Sequence, residues 1–439
     1  MKTLINKIKL IFLIFLLTQF SFAVADTTIS SVNPANFEKV ISQSVPENSF
    51  LWIGHPKRKF TNQELEYIAN NYPIVVIDKF HANWDIKEQE TDAWALHKLN
   101  PDIKLFPYLS MSYRFKQDKF GTDTFNQNWL LKDASTNQIL PYFRENTLRG
   151  WVVDLSSSGY RDWLLNVIKK WLNSAPYSGI AFDNVVPIST NPSNRARPVE
   201  NARISDEKIS RWNDGLRTIM ADTHSLNNHP LVIFNGIENT RTRDNRSLDL
   251  FKDADIALNE NFCVAYRPGH GHGILDKKEL MDDIDIMGET AANGKKILEH
   301  TIYKSDNLLN KIRIDKKQLS RFCYGVFMMG YQPGYDYFKF SRSYSAIYEE
   351  NIFENADEIK LSMGPPVEKY KKIKGIWKRE YEYGVIYLNP DNKKTHTIEI
   401  PEKLVKYSGE ISTNYKNGRQ EITIPPHEAA FFIKEDKLH

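Results

Sequence analysis

The feature that most restricts this chain's fold is an alternation running from residue 49 to about residue 360: short apolar runs separated by stretches with helical periodicity. The runs fall at 50–53, 74–77, 105–109, 179–182, 231–234, 256–258 and 296–298, and an eighth lies within 331–340. Continuous apolar runs of this length suit strands covered on both faces. Between them, Tyr160, Trp163, Leu164, Val167, Ile168, Trp171 and Leu172 recur at i, i+3, i+4, i+7. Ile209, Trp212, Leu216, Ile219 and Met220 make a second such stripe, Leu280, Ile284, Met287 and Ala291 a third, and Leu319, Phe322, Val326 and Phe327 a fourth. Strand then helix, repeated, means βα units and a parallel sheet. About eight units over roughly 300 residues favour closure into a (β/α)8 barrel. No G-x-G-x-x-G follows the first run, which argues against an open dinucleotide-binding sheet. The expected class is α/β, with a TIM barrel over 49–361.

The pattern changes after Leu361. Ser362-Met363-Gly364-Pro365-Pro366 reads as a linker. Period-two segments follow at 375–378, 383–388, 395–400, 421–424 and 429–433, divided by turn signals such as Asn389-Pro390-Asp391-Asn392 and Asn417-Gly418. This predicts a small antiparallel β-sandwich over 362–439.

The N-terminus carries Lys2, Lys7 and Lys9, then the apolar stretch 10–17, then Ala23-Val24-Ala25. That order is a secretory signal peptide over 1–25, followed by an extension over 26–48. A secreted or periplasmic chain is expected, with no membrane span after cleavage. Two cysteines, Cys263 and Cys323, could bridge in an oxidising compartment, but spacing alone leaves their pairing open. The formal net charge is +3 and no basic block exceeds short runs such as Lys57-Arg58-Lys59, so nothing points to a nucleic-acid partner. Aromatic residues at 12% are compatible with a sugar-binding cleft and equally with a Phe- and Tyr-rich core. A monomer is expected.

In a barrel, chemistry sits where strands give way to loops at the C-terminal rim. The fourth run ends on Asp183-Asn184 and the sixth on Asn259-Glu260. Glycoside cleavage needs two carboxyls: one donates a proton to the leaving oxygen, and the other attacks the anomeric carbon or activates water. Asp183 and Glu260 are therefore the candidate catalytic pair. The bland alternative is that Asp183 caps its loop and Glu260 forms an ion pair. His55, Asp78, Lys79, Tyr108, Asn235 and Glu299 stand near other strand ends as candidate substrate-binding residues, with Ser110 and His300 beside them. Glu299 is the rival to Glu260. Trp84, Tyr113, Trp129 and Tyr266 are candidate sugar-stacking rings, although each alone is more often a packing residue. Gly269-His270-Gly271-His272-Gly273 contains a His-x-His but no third ligand at matching spacing, so a flexible loop over the site is preferred to a metal site. No cofactor is called for, and no Gly-x-Ser-x-Gly elbow appears.

Several segments resemble TIM-barrel glycoside hydrolases related to the endo-α-1,4-polygalactosaminidase family. They are Trp129-Leu130-Leu131-Lys132-Asp133, Val153-Asp154-Leu155 followed by Tyr160-Arg161, Ser178-Gly179-Ile180-Ala181-Phe182-Asp183-Asn184, and Asn259-Glu260-Asn261-Phe262. Ser158 stands near a usual proline, and Ser178 replaces an acid that precedes the strand. Met363-Gly364-Pro365-Pro366, with 379–390 beyond it, resembles the β domain that closes many amylase-like barrels. The resemblance covers most of the mature chain. It implies catalytic roles for Asp183 and Glu260 and hydrolysis of a polysaccharide. A carbohydrate-binding protein on the same scaffold, without turnover, is the competing class.

The signal peptide gives the first testable expectation. Exported protein should begin at Asp26, read by N-terminal sequencing; material beginning at Met1 would remove the signal-peptide reading.

Overall fold

The computed structural model describes residues 49–54, 60–78, 86–116, 118, 124–144, 147–185, 187–191, 199, 202–237, 246–267, 271–303, 306–342, 363–401, 404–409, 411–416 and 419–437. The signal peptide, the 26–48 extension and the 361/362 boundary lie outside them.

Eight strands form one parallel sheet: β1 Phe50–Gly54, β2 Ile74–Asp78, β3 Lys104–Ser110, β4 Gly179–Asp183, β5 Leu231–Asn235, β6 Ile256–Asn259, β7 Lys296–Ile302 and β8 Asp336–Ser341. Each pairs with the next in chain order. A parallel bridge from Ser49 to Phe338 closes the barrel, and the Lys339 Nζ reaches the Trp52 carbonyl at 3.4 Å beside that seam. The eighth strand starts later than its sequence window, because residues 333–335 form a turn.

Alternation divides every strand between two layers. Phe50, Trp52, Val76, Phe106, Tyr108, Ala181, Ile233, Leu258, Leu298 and Tyr337 pack together in the lumen. Their neighbours Ile180, Phe182, Val232, Phe234, Ala257, Ile297, Phe338 and Phe340 pack outward, under the helices.

The four expected helical stripes lie on α3 Ser158–Leu172, α4 Asp206–His224, α5 Lys277–Ala292 and α6 Lys316–Gly330. Two earlier helices, α1 Asn62–Asn71 and α2 Ile86–Leu99, are not among the four expected stripes; α1 is as amphipathic as the others but only 10 residues long, and α2 has a weaker stripe. Side-chain caps set most of the starts: Thr61 and Asp276 close capping boxes with Glu64 and Glu279, while Ser157, Ser205 and Asp315 accept from backbone amides three residues on. On α4, Gly215 meets the chain before α3 so closely that an added Cβ would lie 1.9 Å from the Leu155 carbonyl oxygen.

Between β3 and α3 the chain inserts a three-stranded antiparallel sheet of Tyr113–Phe115, Pro141–Arg144 and Thr147–Val152. The sequence reading missed it because its strands have only 3, 4 and 6 residues.

The C-terminal region is a sandwich, as expected. A five-stranded sheet holds β9 Lys371–Ile373, β10 Ile376–Glu380, β11 Gly384–Asn389, β13 Leu404–Ser408 and β16 Glu428–Lys434. A three-stranded sheet holds β12 His396–Ile400, β14 Ser412–Lys416 and β15 Arg419–Ile424. Ile376, Tyr387, Ile398, Ile422 and Phe432 fill the space between them. The other face of the larger sheet joins the barrel's outer core through Trp377, Ile386, Leu388 and Phe431.

That junction is built on α6. Arg321 and Glu428 form a bidentate pair at 2.6 Å on both arms, with side chains 3% and 0% exposed. The Gln318 amide donates to the carbonyls of Pro426 and His427 at 3.2 Å. Gly325 admits Ala429 so closely that a Cβ there would lie 2.5 Å from the alanine methyl. Cys263, just past β6, is bridged to Cys323 of α6 with Cα atoms 5.6 Å apart.

Breaking a buried pair from one side leaves an uncompensated charge. Arg321→Met should therefore lower the unfolding free energy by about 3–5 kcal/mol. Arg321→Met with Glu428→Leu should recover most of that loss. Urea midpoints read both, and a double variant as unstable as the single one would show that packing rather than charge holds the junction.

Candidate active site

The C-terminal rim is assembled by the register of the strands. Asp183, the last residue of β4, lies level with Ser110, the last residue of β3. It follows the lumen-facing Ala181 by two positions, so its carboxylate points into the mouth. Four hydrogen bonds fix that carboxylate. Oδ2 accepts from the Tyr108 hydroxyl in a short contact and from Asn184 Nδ2 at 2.8 Å. Oδ1 accepts from Asn235 Nδ2 and from the Asn184 backbone amide, both at 2.7 Å. A carboxylate offers about four lone-pair directions, and all four donors here are neutral groups. The arrangement holds the carboxylate in one orientation.

The donors are themselves anchored. Tyr108 and Asn235 are buried on β3 and β5, the strands either side of β4. Asn184 adopts φ 58°, a conformation asparagine tolerates better than most residues. In that conformation its amide also donates to Ser110 Oγ at 3.2 Å, and its carbonyl accepts from Ser112 Oγ at 2.6 Å. Asp183 thus has the neighbours it would have whether it capped a loop or attacked a substrate; what sets it apart is its position at the open end of the lumen.

Tyr113, from the inserted sheet, stacks flat on Tyr142 with ring centroids 4.2 Å apart. Met111, two residues earlier, donates its backbone amide to the Asp183 carbonyl at 3.0 Å, which ties the start of the inserted sheet to the end of β4. Burial, then Tyr142, then Asp183 push the Tyr113 hydroxyl above the ordinary tyrosine range. Trp129 has a different setting. It packs among Phe125, Tyr160 and Trp163, with centroids 5.6–6.3 Å away, as part of the core under the insertion.

Glu260 is the first residue beyond β6, half-buried, two positions after the lumen-facing Leu258. The segment that carries it is held from both sides. Asn259 Oδ1 accepts from the Asn261 amide at 3.2 Å, and the Cys263 bridge follows. Beyond Cys263, Val264–Arg267 and Gly271–Ile274 pair as an antiparallel hairpin. The glycine-histidine segment expected to be an irregular loop is therefore partly sheet, with Gly271, His272 and Gly273 in its second strand. Among the described residues no group of three or more His, Cys, Asp or Glu gathers to hold a metal.

Glu299 is placed differently from the expectation that it reaches substrate. On β7 it lies between the lumen-facing Leu298 and His300 and alternates with them, so it points to the outer layer, where it is fully buried. Asn259, its partner in the β6–β7 register, likewise points outward and donates to Asp283 of α5 at 3.4 Å. The lumen-facing residue at this turn of β7 is His300. Its Nε2 is 2.9 Å from Ser341 Oγ, and its ring meets Phe50 edge-on at 5.8 Å. Lys339, level with His300 on β8, is also fully buried in the lumen wall. The sequence reading named His300 only in passing and missed Lys339, because a lysine inside an apolar strand looks like a break in the pattern. Strand parity was the signal that could have found both.

Of the remaining candidates, Asp78 ends β2 opposite Gly54. His55, Lys79 and Trp84, and the side chains of Asp78 and Tyr266, lie outside the described residues. The structure thus brings Tyr108, Asn235 and Asp183 into direct contact, sets Glu260 at the same rim, and turns Glu299 away.

Two of the recurring motif segments serve the scaffold. Asp154 accepts from Ser156 and from Lys208 of α4 as the chain turns into α3. Asp133 accepts from Ser135, Thr136 and the Arg203 amide, which hold its carboxyl well below the usual carboxylate range.

Comparisons with known proteins agree with this architecture. An α-amylase from H. orenii matches with a TM-score of 0.50 at 10% identity, covering 89% of this chain and 100% of its own. An α-amylase from Geobacillus thermoleovorans matches with a TM-score of 0.50 at 9% identity, covering 89% and 99%. The glycoside hydrolase domain of PelA from Pseudomonas aeruginosa matches with a TM-score of 0.45 at 14% identity, covering 68% and 96%. At such identities the two amylases show a shared fold only. A comparison with curated proteins finds no match. The model of hypothetical glycosyl hydrolase family 15 matches residues 97–385, from the end of α2 into β11. With barrel strands β3 to β8 and about two thirds of its length inside that match, the chain belongs to hypothetical glycosyl hydrolase family 15.

Proposed function

We propose that this glycoside hydrolase cleaves glycosidic bonds of a polysaccharide outside the cytoplasm, after export to the periplasm or the medium, with Asp183 and Glu260 as its two carboxyls. The observation that carries the reading is the Asp183 carboxylate, held by Tyr108, Asn184 and Asn235 at the barrel mouth. A fixed, ionised carboxylate suits the nucleophile and not the proton donor. Asp183 attacks the anomeric carbon as the glycosidic C–O bond breaks, and Glu260 gives its proton to the departing oxygen. Glu260 then takes a proton from water, whose oxygen displaces Asp183 and restores both groups. Retention of configuration follows, and it requires carboxyl groups roughly 5–5.5 Å apart in the substrate complex. The neutral donors on Asp183 hold its charge in place before attack and again on its release, so little solvent has to reorganise around it.

The family supports a carbohydrate substrate. The sugar recognised at the mouth would stack on the Tyr113–Tyr142 pair. The experiment is a screen of purified protein against diverse polysaccharides, read by new reducing ends. On the substrate found, Asp183→Asn and Glu260→Gln should each lower kcat by about a hundredfold to ten-thousandfold while the unfolding midpoint stays close to the parent's. Glu299→Gln, turned away from the lumen, should cost far less. Loss of activity in Glu299→Gln with Glu260→Gln active would move the acid to β7. Binding of glycans without turnover of any would favour the carbohydrate-binding class instead.

Tyr108→Phe removes one donor and nothing else from the network. A hydrogen bond to a charged group is worth about 1.5–3 kcal/mol. The variant should therefore lose roughly ten- to a hundredfold in kcat with KM little changed. Unchanged kcat would mean that the Asp183 carboxylate is not the reacting group.

A further inference from the structure

A second recess lies at the opposite end of the barrel. It is a cleft of about 620 Å³ between α5, the end of α6 and the β sandwich. The helices α5 and α6 end there, ahead of β7 and β8, so the cleft is at the N-terminal end of the strands, away from Asp183. Its size falls in the range of small-molecule sites, about 300–1,000 Å³.

Its lining is suited to a sugar. Tyr335 is exposed at one side and Tyr370 half-buried at another. The Tyr370 ring is backed by Trp377 with centroids 5.5 Å apart, so it is a braced platform. Gln332 and Asp285 offer an amide and a carboxylate around the same space, and the buried Arg379 forms part of its floor. The Arg379 guanidinium is fixed by the Met328 carbonyl at 2.8 Å and the Glu368 carbonyl at 3.1 Å. Flat aromatic faces with fixed planar polar groups beside them match the apolar ring face and the hydroxyl edge of a pyranose.

The strongest indication is a glycine. Gly288 lies inside α5, where glycine is unfavourable, and it lines the cleft. An added Cβ there would meet nothing within 4 Å. Packing within the chain does not call for a glycine at this position, whereas a ligand lying along the helix would.

We propose that this cleft is a second carbohydrate-binding site, which holds an oligosaccharide segment of the glycan at the end of the barrel remote from the chemistry. Its choice of ligand rests on the glycosidase reading above. Gly288→Leu projects into the cleft and should fold about as well as the parent, since leucine is the better helix former and its Cβ meets no neighbour within 4 Å. The test is retardation in native gels cast with each soluble polysaccharide of the screen, run in an Asp183→Asn background to suppress turnover. Gly288→Leu and, separately, Tyr370→Ala should each weaken retardation about tenfold in apparent Kd, the loss of roughly 1.4 kcal/mol. Thermal unfolding of each variant checks that it is folded. Hydrolysis by the parent with retardation unchanged in both variants overturns the second site and leaves the catalytic reading standing. Retardation that depends on Gly288 and Tyr370, with no glycan hydrolysed by the parent, supports the site and overturns the catalytic reading. Neither hydrolysis nor retardation overturns both.

Discussion

Closure of the eight-stranded sheet governs everything else in this molecule. Once Ser49 bridges to Phe338, each strand has two neighbours and one lumen-facing parity, and a shift of one residue in any strand would exchange its lumen-facing and helix-facing sets. The parity that sends Ala181, Ile233 and Leu298 inward also sends Asp183, Asn235 and His300 inward, two residues further on. It sends Glu299 the other way. The mouth is therefore a continuation of the core pattern, with polar side chains taking the positions where the strands run out of apolar ones. The site needs no separate folding instruction beyond the polarity of those terminal residues.

How much of this could be read from the sequence depended on the length of the repeated signal. The seven apolar runs before the last all became barrel strands, and the four long helical stripes became α3 to α6. The inserted sheet of 113–152 was not legible, because Tyr113–Phe115 and Pro141–Arg144 are too short to show a period. Its consequence for the site is large, since its first strand starts three residues past the end of β3 and carries Tyr113, stacked on Tyr142, from the rim. Asp183, Tyr108 and Asn235 were legible as strand-end residues, but their mutual hydrogen bonds depend on the β3–β4–β5 order, which a list of runs does not contain. Glu299 misled because proximity to a strand end was weighed without its side of the strand.

The helix α6 shows how the two parts of the chain become one body. Every residue from Leu319 to Gly330 is buried, a pattern belonging to a helix with neighbours all round. On one side lie the outer faces of β7 and β8, and on the other the larger sheet of the sandwich. The same helix provides Arg321 to Glu428 and the Met328 carbonyl to both Arg379 and Tyr381. A barrel deprived of the sandwich would expose this apolar face to water and leave Arg321 without its partner. The sandwich is in this sense the missing cover of one barrel helix.

The bridge between Cys263 and Cys323 closes a covalent ring through α5, β7 and the first half of α6, spanning a sequence separation of 60 residues. The ring includes the hairpin that follows β6. A protease that nicks the chain anywhere inside this ring does not divide the molecule, because the two fragments stay joined through sulfur. Glu260, three residues before the first cysteine, then remains tied to α6 and through it to the sandwich. In surroundings rich in peptidases, the stretch of chain nearest the proposed acid can be cut once and still hold its place.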